Sequence, residues 1–298
     1  MKRCTQIILS YLSCLILCTC RSSSRVTTEQ IDPGTQNSYI ENKGSDTLVN
    51  LALAWAEEYQ QVDPGVQISV TGGGSGTGFA ALINRTITIA NASRQIKPEE
   101  IDAAKDNGFD PIEFIVADDA IAVIVNPSNP VDNLSLKQVS KIYKGEINNW
   151  KEVGGEDRPI VKLSRETNSG THVYFLETVV RLSDKNDSSI FSADTLLLPS
   201  SEGIIVEVRD NPNAIGYDGL GYVTEDVKMV GLSEGTNNDY IYPSTNTVIS
   251  GEYPISRHLY MYTRGEPSGA ELAYLEWVLS PDAQKITADL GFVPVISE

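Results

Sequence analysis

One pattern recurs along this 298-residue chain: a short apolar run, a loop of Ser, Gly and Thr, then a helical stripe. Residues 39–42 have strand character and enter Lys43-Gly44-Ser45-Asp46-Thr47. Apolar residues follow at Leu48, Leu51, Ala52, Trp55 and Tyr59, one face of a helix that Asp63-Pro64-Gly65 stops. Val66, Ile68 and Val70 alternate with polar positions as in a strand. That strand enters Thr71-Gly72-Gly73-Gly74-Ser75-Gly76-Thr77-Gly78 and a helix with Phe79, Leu82 and Ile83. Residues 87–90 lead to Ala92-Ser93-Arg94, and Lys97-Pro98-Glu99-Glu100 opens another helix. The alternation predicts an open α/β sheet with parallel strands. Ligands of such sheets lie beyond the carboxyl ends of the strands. The loops at 44–47, 72–78 and 92–94 are expected to converge there.

The design appears again further on. Residues 120–126 form a continuous apolar strand ending in Pro127-Ser128-Asn129-Pro130, read as the crossover into a second lobe. Residues 136–143 read as a short helix, and 159–163 as a strand. That strand enters Ser164-Arg165-Glu166-Thr167-Asn168-Ser169-Gly170-Thr171 before a helix with Val173, Phe175, Leu176 and Val179. Residues 254–263 read as the returning strand. Leu272, Leu275, Val278 and Leu279 mark a closing helix, and Ser280-Pro281 opens another. The chain has no internal repeat of 20–50 residues.

Loops of this composition at helix starts suit an anion. A helix N-terminus presents unpaired N–H groups and a positive dipole end, glycine lets backbone approach, and hydroxyls add donors. A single loop of this kind is more simply a helix cap. Four of them over two lobes exceed what capping needs. Arg94 and Arg165 lie in hydroxyl-bearing loops, and a guanidinium matches a tetrahedral oxyanion bidentately. Their simpler readings are ion pairs, Arg94 with Glu99 or Glu100 and Arg165 with Glu166 or Asp157.

Composition narrows the alternatives. The net charge is −17, and this acidic field speaks against a nucleic-acid partner. Such a field slows anion capture only modestly, because it is screened beyond about 8–10 Å. Cys4, Cys14, Cys18 and Cys20 are the only cysteines, so residues 21–298 hold no disulfide, thiolate metal site or Cys nucleophile. With only His172 and His258, a multi-His metal centre is excluded. No cofactor is expected. A Ser169 nucleophile with His172 as base would make a hydrolase. Their spacing aims the side chains poorly at each other, and Gly-x-Ser-x-Gly is absent.

The N-terminus reads as an address. Lys2 and Arg3 precede an apolar stretch over residues 7–17, too short to span a bilayer at about 20 residues. Leu17-Cys18-Thr19-Cys20 resembles a bacterial lipobox, with Cys20 the better acylation site. Residues 1–19 are then a signal peptide. Residues 20–38, rich in Ser, Thr, Gln and Asn, are a flexible tether.

The loop motifs together resemble the phosphate-binding lipoproteins of phosphate ABC importers, the PstS family. The resemblance spans about residues 39–298. It rests on Gly44-Ser45-Asp46-Thr47-Leu48, the Gly-rich segment 71–78, Ala92-Ser93-Arg94, and above all Arg165-Glu166-Thr167-Asn168-Ser169-Gly170-Thr171. It implies a two-lobed periplasmic-binding-protein-like fold of type II, each lobe an open mixed sheet flanked by helices. Lobe 1 would take residues 39–122 and 252–298, and lobe 2 residues 123–251. A dehydrated phosphate would lie in the cleft, held by Thr47, the Leu48 N–H, Ser75, Ser93, Arg94, Arg165, Ser169, the Gly170 N–H and Thr171. The long-chain members carry an Asp after the Ser of the third loop, as acceptor for the phosphate proton. Here that position is Arg94, as in shorter members, so Asp46 is the substitute candidate and Glu166 the second. Asp46 as a plain helix N-cap is the competing reading. The implied partners are phosphate, a permease and an ATPase, and the membrane through the lipid. The implied protein is a non-enzymatic, extracytoplasmic monomer. Receptors for sulfate, molybdate or tungstate, a surface adhesin or sensor, and a secreted phosphate-ester hydrolase remain the alternatives.

Overall fold

A computed structural model describes residues 38–235 and 239–295. The signal peptide, the tether apart from Ser38, and all four cysteines lie outside the described residues.

The first half follows the expected alternation. Strand β1 (Ser38–Gly44) leads through a short 3-10 turn (Asp46–Leu48) into α1 (Val49–Val62). Then come β2 (Val66–Thr71), α2 (Ser75–Ile83), β3 (Ile89–Ala92) and α3 (Pro98–Asp106). Helix α2 takes in Ser75–Gly78, so half of the predicted Gly-rich loop is helix. β1 pairs in parallel with both β2 and β3. Every residue of β3 is buried because both faces of this sheet are covered. One face packs Ile40 and Ile89 against Leu51 and Trp55 of α1. The other packs Ala90 and Ala92 against Phe79 and Leu82 of α2.

Strand β4 (Pro111–Val125) is longer than expected and joins the halves. The second half holds β5 (Asn133–Ser135), α4 (Leu136–Tyr143), β6 (Val161–Arg165), α5 (Gly170–Phe175) and β7 (Leu196–Leu198). It continues with α6 (Ser201–Asp210), β8 (Ala214–Gly219), β9 (Lys228–Met229), β10 (Gly231–Ser233) and α7 (Thr245–Ile249). Tyr143, Phe175 and Tyr217 pack at its centre, the last two rings stacked with centroids 3.5 Å apart. The chain returns along β11 (Ser256–Arg264) and closes with α8 (Gly269–Val278) and α9 (Pro281–Asp289).

The sheet is mixed, in the order β2-β1-β3-β11-β4-β8-β6-β7. The expectation of parallel strands holds among β1, β2 and β3 and among β6, β7 and β8, and fails for the pairs that β4 and β11 make. β11 runs antiparallel to β3 and β4, and β4 antiparallel to β8. The reason is connectivity: one strand leaves the first half and one comes back beside it. Along β4, residues 111–120 pair with β11, whereas 121–125 pair with β8. Among the described residues, no helix is long and apolar enough to cross a membrane.

Candidate functional site

The Ser/Gly/Thr loops of the two halves meet. The Thr47 and Thr171 hydroxyls are 2.9 Å apart, although 124 residues separate them in sequence. The Gly76 N–H donates to the Asn168 carbonyl at 3.0 Å, and the Asn168 side chain donates to the Gly73 carbonyl at 2.9 Å. Gly74, at φ +87°, permits this approach, since a Cβ there would lie 2.8 Å from the Asn168 oxygen. Ser75 and Ser93 hydroxyls lie 3.3 Å apart, and Ser45 donates to Ser93 at 2.8 Å. Gly170 sits directly against Ser75 and Ser93 with no room for a Cβ. Ser169 caps α5, its Oγ accepting from the Thr171 and His172 N–H groups.

Arg165, at the end of β6, is only 1% exposed. Its Nη2 donates to Asp46 at 2.7 Å and to the Pro199 carbonyl at 2.9 Å, and its Nη1 to Ser201 at 2.7 Å. Neither Glu166 nor Asp157 is its partner. Asp46 is not a side-chain N-cap either. It accepts from Arg165 and from the Gly73 N–H, and so ties the two halves together.

Arg94 forms the ion pair of its simpler reading. It borders a 340 Å³ cavity with Ser93, Lys97, Tyr174, Arg257 and Tyr260. Its guanidinium, however, makes a bidentate pair with Glu100 at 2.6 and 2.7 Å and lies over the Phe79 ring. This is the ion-pair reading. The Nη1–Nη2 edge of the guanidinium is thus matched to a carboxylate, while Nε is buried without a hydrogen-bond partner. The Leu48 N–H is likewise already bonded to the Ser45 carbonyl, at 3.1 Å. Another cavity, of 440 Å³ and lined by Glu177, Arg181, Asp184 and Lys185 among others, contains none of the buried donors above.

Three residues were missed from sequence. Arg257 of β11 donates to Asp119 and Thr171, both at 3.0 Å, to the Ser93 carbonyl at 2.9 Å and to Thr47 at 3.3 Å. It is a second buried guanidinium touching hydroxyls from both halves. Asp119 and Asp218, in the apolar strands β4 and β8, lie beside the two arginines. Burial pushes the Asp119 carboxyl up to about 6, with Arg257 pulling the other way. The Asp218 carboxyl is also raised by burial, against the pull of Arg165. A charge inside an apolar strand was the available signal, since such a charge demands a buried partner.

The Ser169–His172 dyad does not form. His172 Nδ1 lies 2.9 Å from the Arg165 carbonyl and 3.0 Å from the Ser164 hydroxyl. Ser164 in turn bonds Tyr217 at 2.6 Å. Burial pushes the imidazole down, favouring its neutral form. Its contacts hold the Arg165 backbone and leave Ser169 as a cap.

A family model described as a PBP superfamily domain matches residues 30–282. The phosphate-binding protein PstS of Pseudomonas aeruginosa is 32% identical over 86% of this chain and 83% of its own. That of Bacillus subtilis is 33% identical, over 85% and 79%. The chain belongs to the PstS family. A crystal structure from Clostridium perfringens, described as a phosphate ABC transporter substrate-binding protein with bound phosphate, superposes with a TM-score of 0.78. It is 31% identical and covers 87% of this chain and all of its own. An ABC-type phosphate transport receptor from Vibrio cholerae gives 0.68 at 27% identity, over 86% of this chain and all of its own. The two-lobed α/β architecture is therefore that of the family.

Proposed function

We propose that this protein captures inorganic phosphate between two lobes and delivers it to an ABC importer. The observation that carries the reading is the buried cluster in which hydroxyls from both halves meet around two guanidiniums. Such a water-poor enclosure of cationic and hydroxyl donors stabilises an oxyanion and is aimed at no scissile bond. The names of the PstS relatives and the phosphate-bound Clostridium perfringens structure support it.

In this reading, lobe 1 (residues 39–122 and 252–298) supplies Thr47, Ser75 and Ser93. Lobe 2 (residues 123–251) supplies Arg165, Ser169, the Gly170 N–H and Thr171. β4 and the segment just before β11, where the chain passes between the halves, act as the hinge. Anions enter by the 340 Å³ cavity, which shares Ser93 and Arg257 with the buried cluster. Calorimetric titration with phosphate, sulfate, molybdate and tungstate tests the reading. One phosphate per chain should bind, more tightly than the other anions and unchanged on recovery. Absence of phosphate binding would refute it.

The protein is held outside the cytoplasm by a lipid on Cys20. Cys20→Ala should move it from the membrane to the soluble fraction, while Cys18→Ala should leave it bound. Soluble wild-type protein would remove the anchor.

A further inference from the structure

Every residue of the short turn Leu220–Tyr222, which follows β8, meets the first half of the chain. The Leu220 N–H donates to Asp119 of β4 at 3.1 Å. Gly221 sits against the Phe292 ring, where a Cβ would come within 2.4 Å of a ring carbon. Both contacts lie close to the crossing strand β4, with Gly219 paired to Ile121 and Val293 to Asp118. Tyr222 reaches past them. Its half-buried ring packs against the cluster that holds Leu163, Ile204 and Val208 in the second half. Its hydroxyl donates to the Asp46 carbonyl at 2.6 Å, across 176 residues of sequence.

Asp46 opens the 3-10 turn that leads into α1, and donors reach it from both halves. Its carboxylate accepts from Arg165 at 2.7 Å and from the Gly73 N–H at 3.0 Å. Its carbonyl accepts from the Val49 N–H as well as from the Tyr222 hydroxyl. One residue of the first half therefore holds two donors of the second, and one of them is the arginine of the anion cluster. We propose that Tyr222 is a positioning residue: its hydroxyl latches the closed form by fixing the Asp46 backbone, and with it the Asp46–Arg165 pair, and so sets how long a captured anion is retained without touching that anion. This rests on the capture reading above. The latch joins two protein groups, and an anion is no part of it. Opening leaves no group unpaired, because the carbonyl keeps the Val49 N–H and the phenol returns to water. The latch is therefore worth one neutral hydrogen bond. Burial raises the phenol above its ordinary value, so it stays protonated and able to donate at neutral pH and well above it.

Tyr222→Phe is the test, since it keeps the ring and deletes the hydroxyl. Release of radiolabelled phosphate into excess unlabelled phosphate gives the dissociation rate, and equilibrium titration gives the affinity. The variant should release phosphate about 3- to 10-fold faster, the factor that one neutral hydrogen bond carries, and its affinity should fall by the same factor. The association rate should stay at the wild-type value, because anions meet the open form, in which the latch is unmade. The phosphate-to-arsenate preference should also stay, since the phenol touches neither anion. Release at the wild-type rate overturns the latch, also where the ligand-free melting temperature has fallen, which would leave Tyr222 a purely structural role. A shifted preference overturns it by putting the phenol in the anion site, and so does slower association with unchanged release. Should Tyr222→Phe fail to fold, Tyr222→Leu takes its place with the same expectations. Wild-type protein that binds no phosphate at all takes down the functional reading, and this inference with it. Phosphate bound by wild type and released no faster by the variant takes down the inference alone.

Discussion

Arg165→Ala should lower phosphate affinity by about 2–5 kcal/mol, roughly 30- to 5,000-fold. The guanidinium is buried at the junction of the two halves, so its loss leaves a bound anion with a charge unmatched in a dry site. It also leaves Asp46 and Asp218 without their cation. The free protein should therefore melt lower as well, and affinity and melting temperature must be read together. Arg165→Lys separates the two effects: it keeps a charge for the carboxylates but loses the planar fork. Thr171→Val, in the same titration, removes one neutral hydroxyl and should cost about 1–3 kcal/mol. Arg94→Ala should change affinity little, because that guanidinium serves Glu100. Arg165→Ala binding phosphate as tightly as wild type would exclude Arg165 from the site, and Arg94→Ala abolishing binding would place Arg94 in it.

Gly170→Ala should prevent the lobes from closing. The added methyl would collide with the Ser75 and Ser93 hydroxyls, both contributed by the first half, and would come within 3.1 Å of the Ser93 carbonyl carbon. These hydroxyls cannot swing aside freely, since Ser75 accepts the Ser93 N–H at 3.0 Å and Ser93 accepts from Ser45 at 2.8 Å. Overpacking of this kind costs about 1–3 kcal/mol, and the interlobe hydrogen bonds are lost with it. Phosphate affinity should fall on the order of 100-fold, with the melting temperature of the free protein near wild type. Small-angle scattering should show a radius of gyration that no longer shrinks on adding phosphate. A variant that binds and contracts like wild type would mean the halves do not meet at Gly170 in solution.

Much of the chain was legible because its signals are local. The apolar run 136–143 and the apolar stripe 272–279 located α4 and α8, the Ser280-Pro281 start signal located α9, and Ser169 is the helix cap that its position suggests. The resemblance to the PstS family brought Thr47, Ser75, Ser93, Arg165, Gly170 and Thr171 onto one list, and the fold sets Thr47 beside Thr171 and Gly170 against Ser75 and Ser93. Arg94 was on that list for the same reason, and pattern alone could not separate it. Its neighbour Ser93 faces the cluster, whereas Arg94 turns to Glu100, six residues on.

Sequence by itself determined the α/β class, the loops that carry hydroxyls and glycines, and the absence of Cys or multi-His chemistry in the folded part. These follow from residue types and short spacings. Tertiary structure alone decided the partners of the charges. Arg165 meets Asp46 across 119 residues, and Arg257 meets Asp119 across 138. No local rule relates such positions, because β4 and β11 bring them together only after the chain has left the first half and returned. The antiparallel junction of the sheet has the same origin, in a return of the chain that a one-dimensional pattern does not encode.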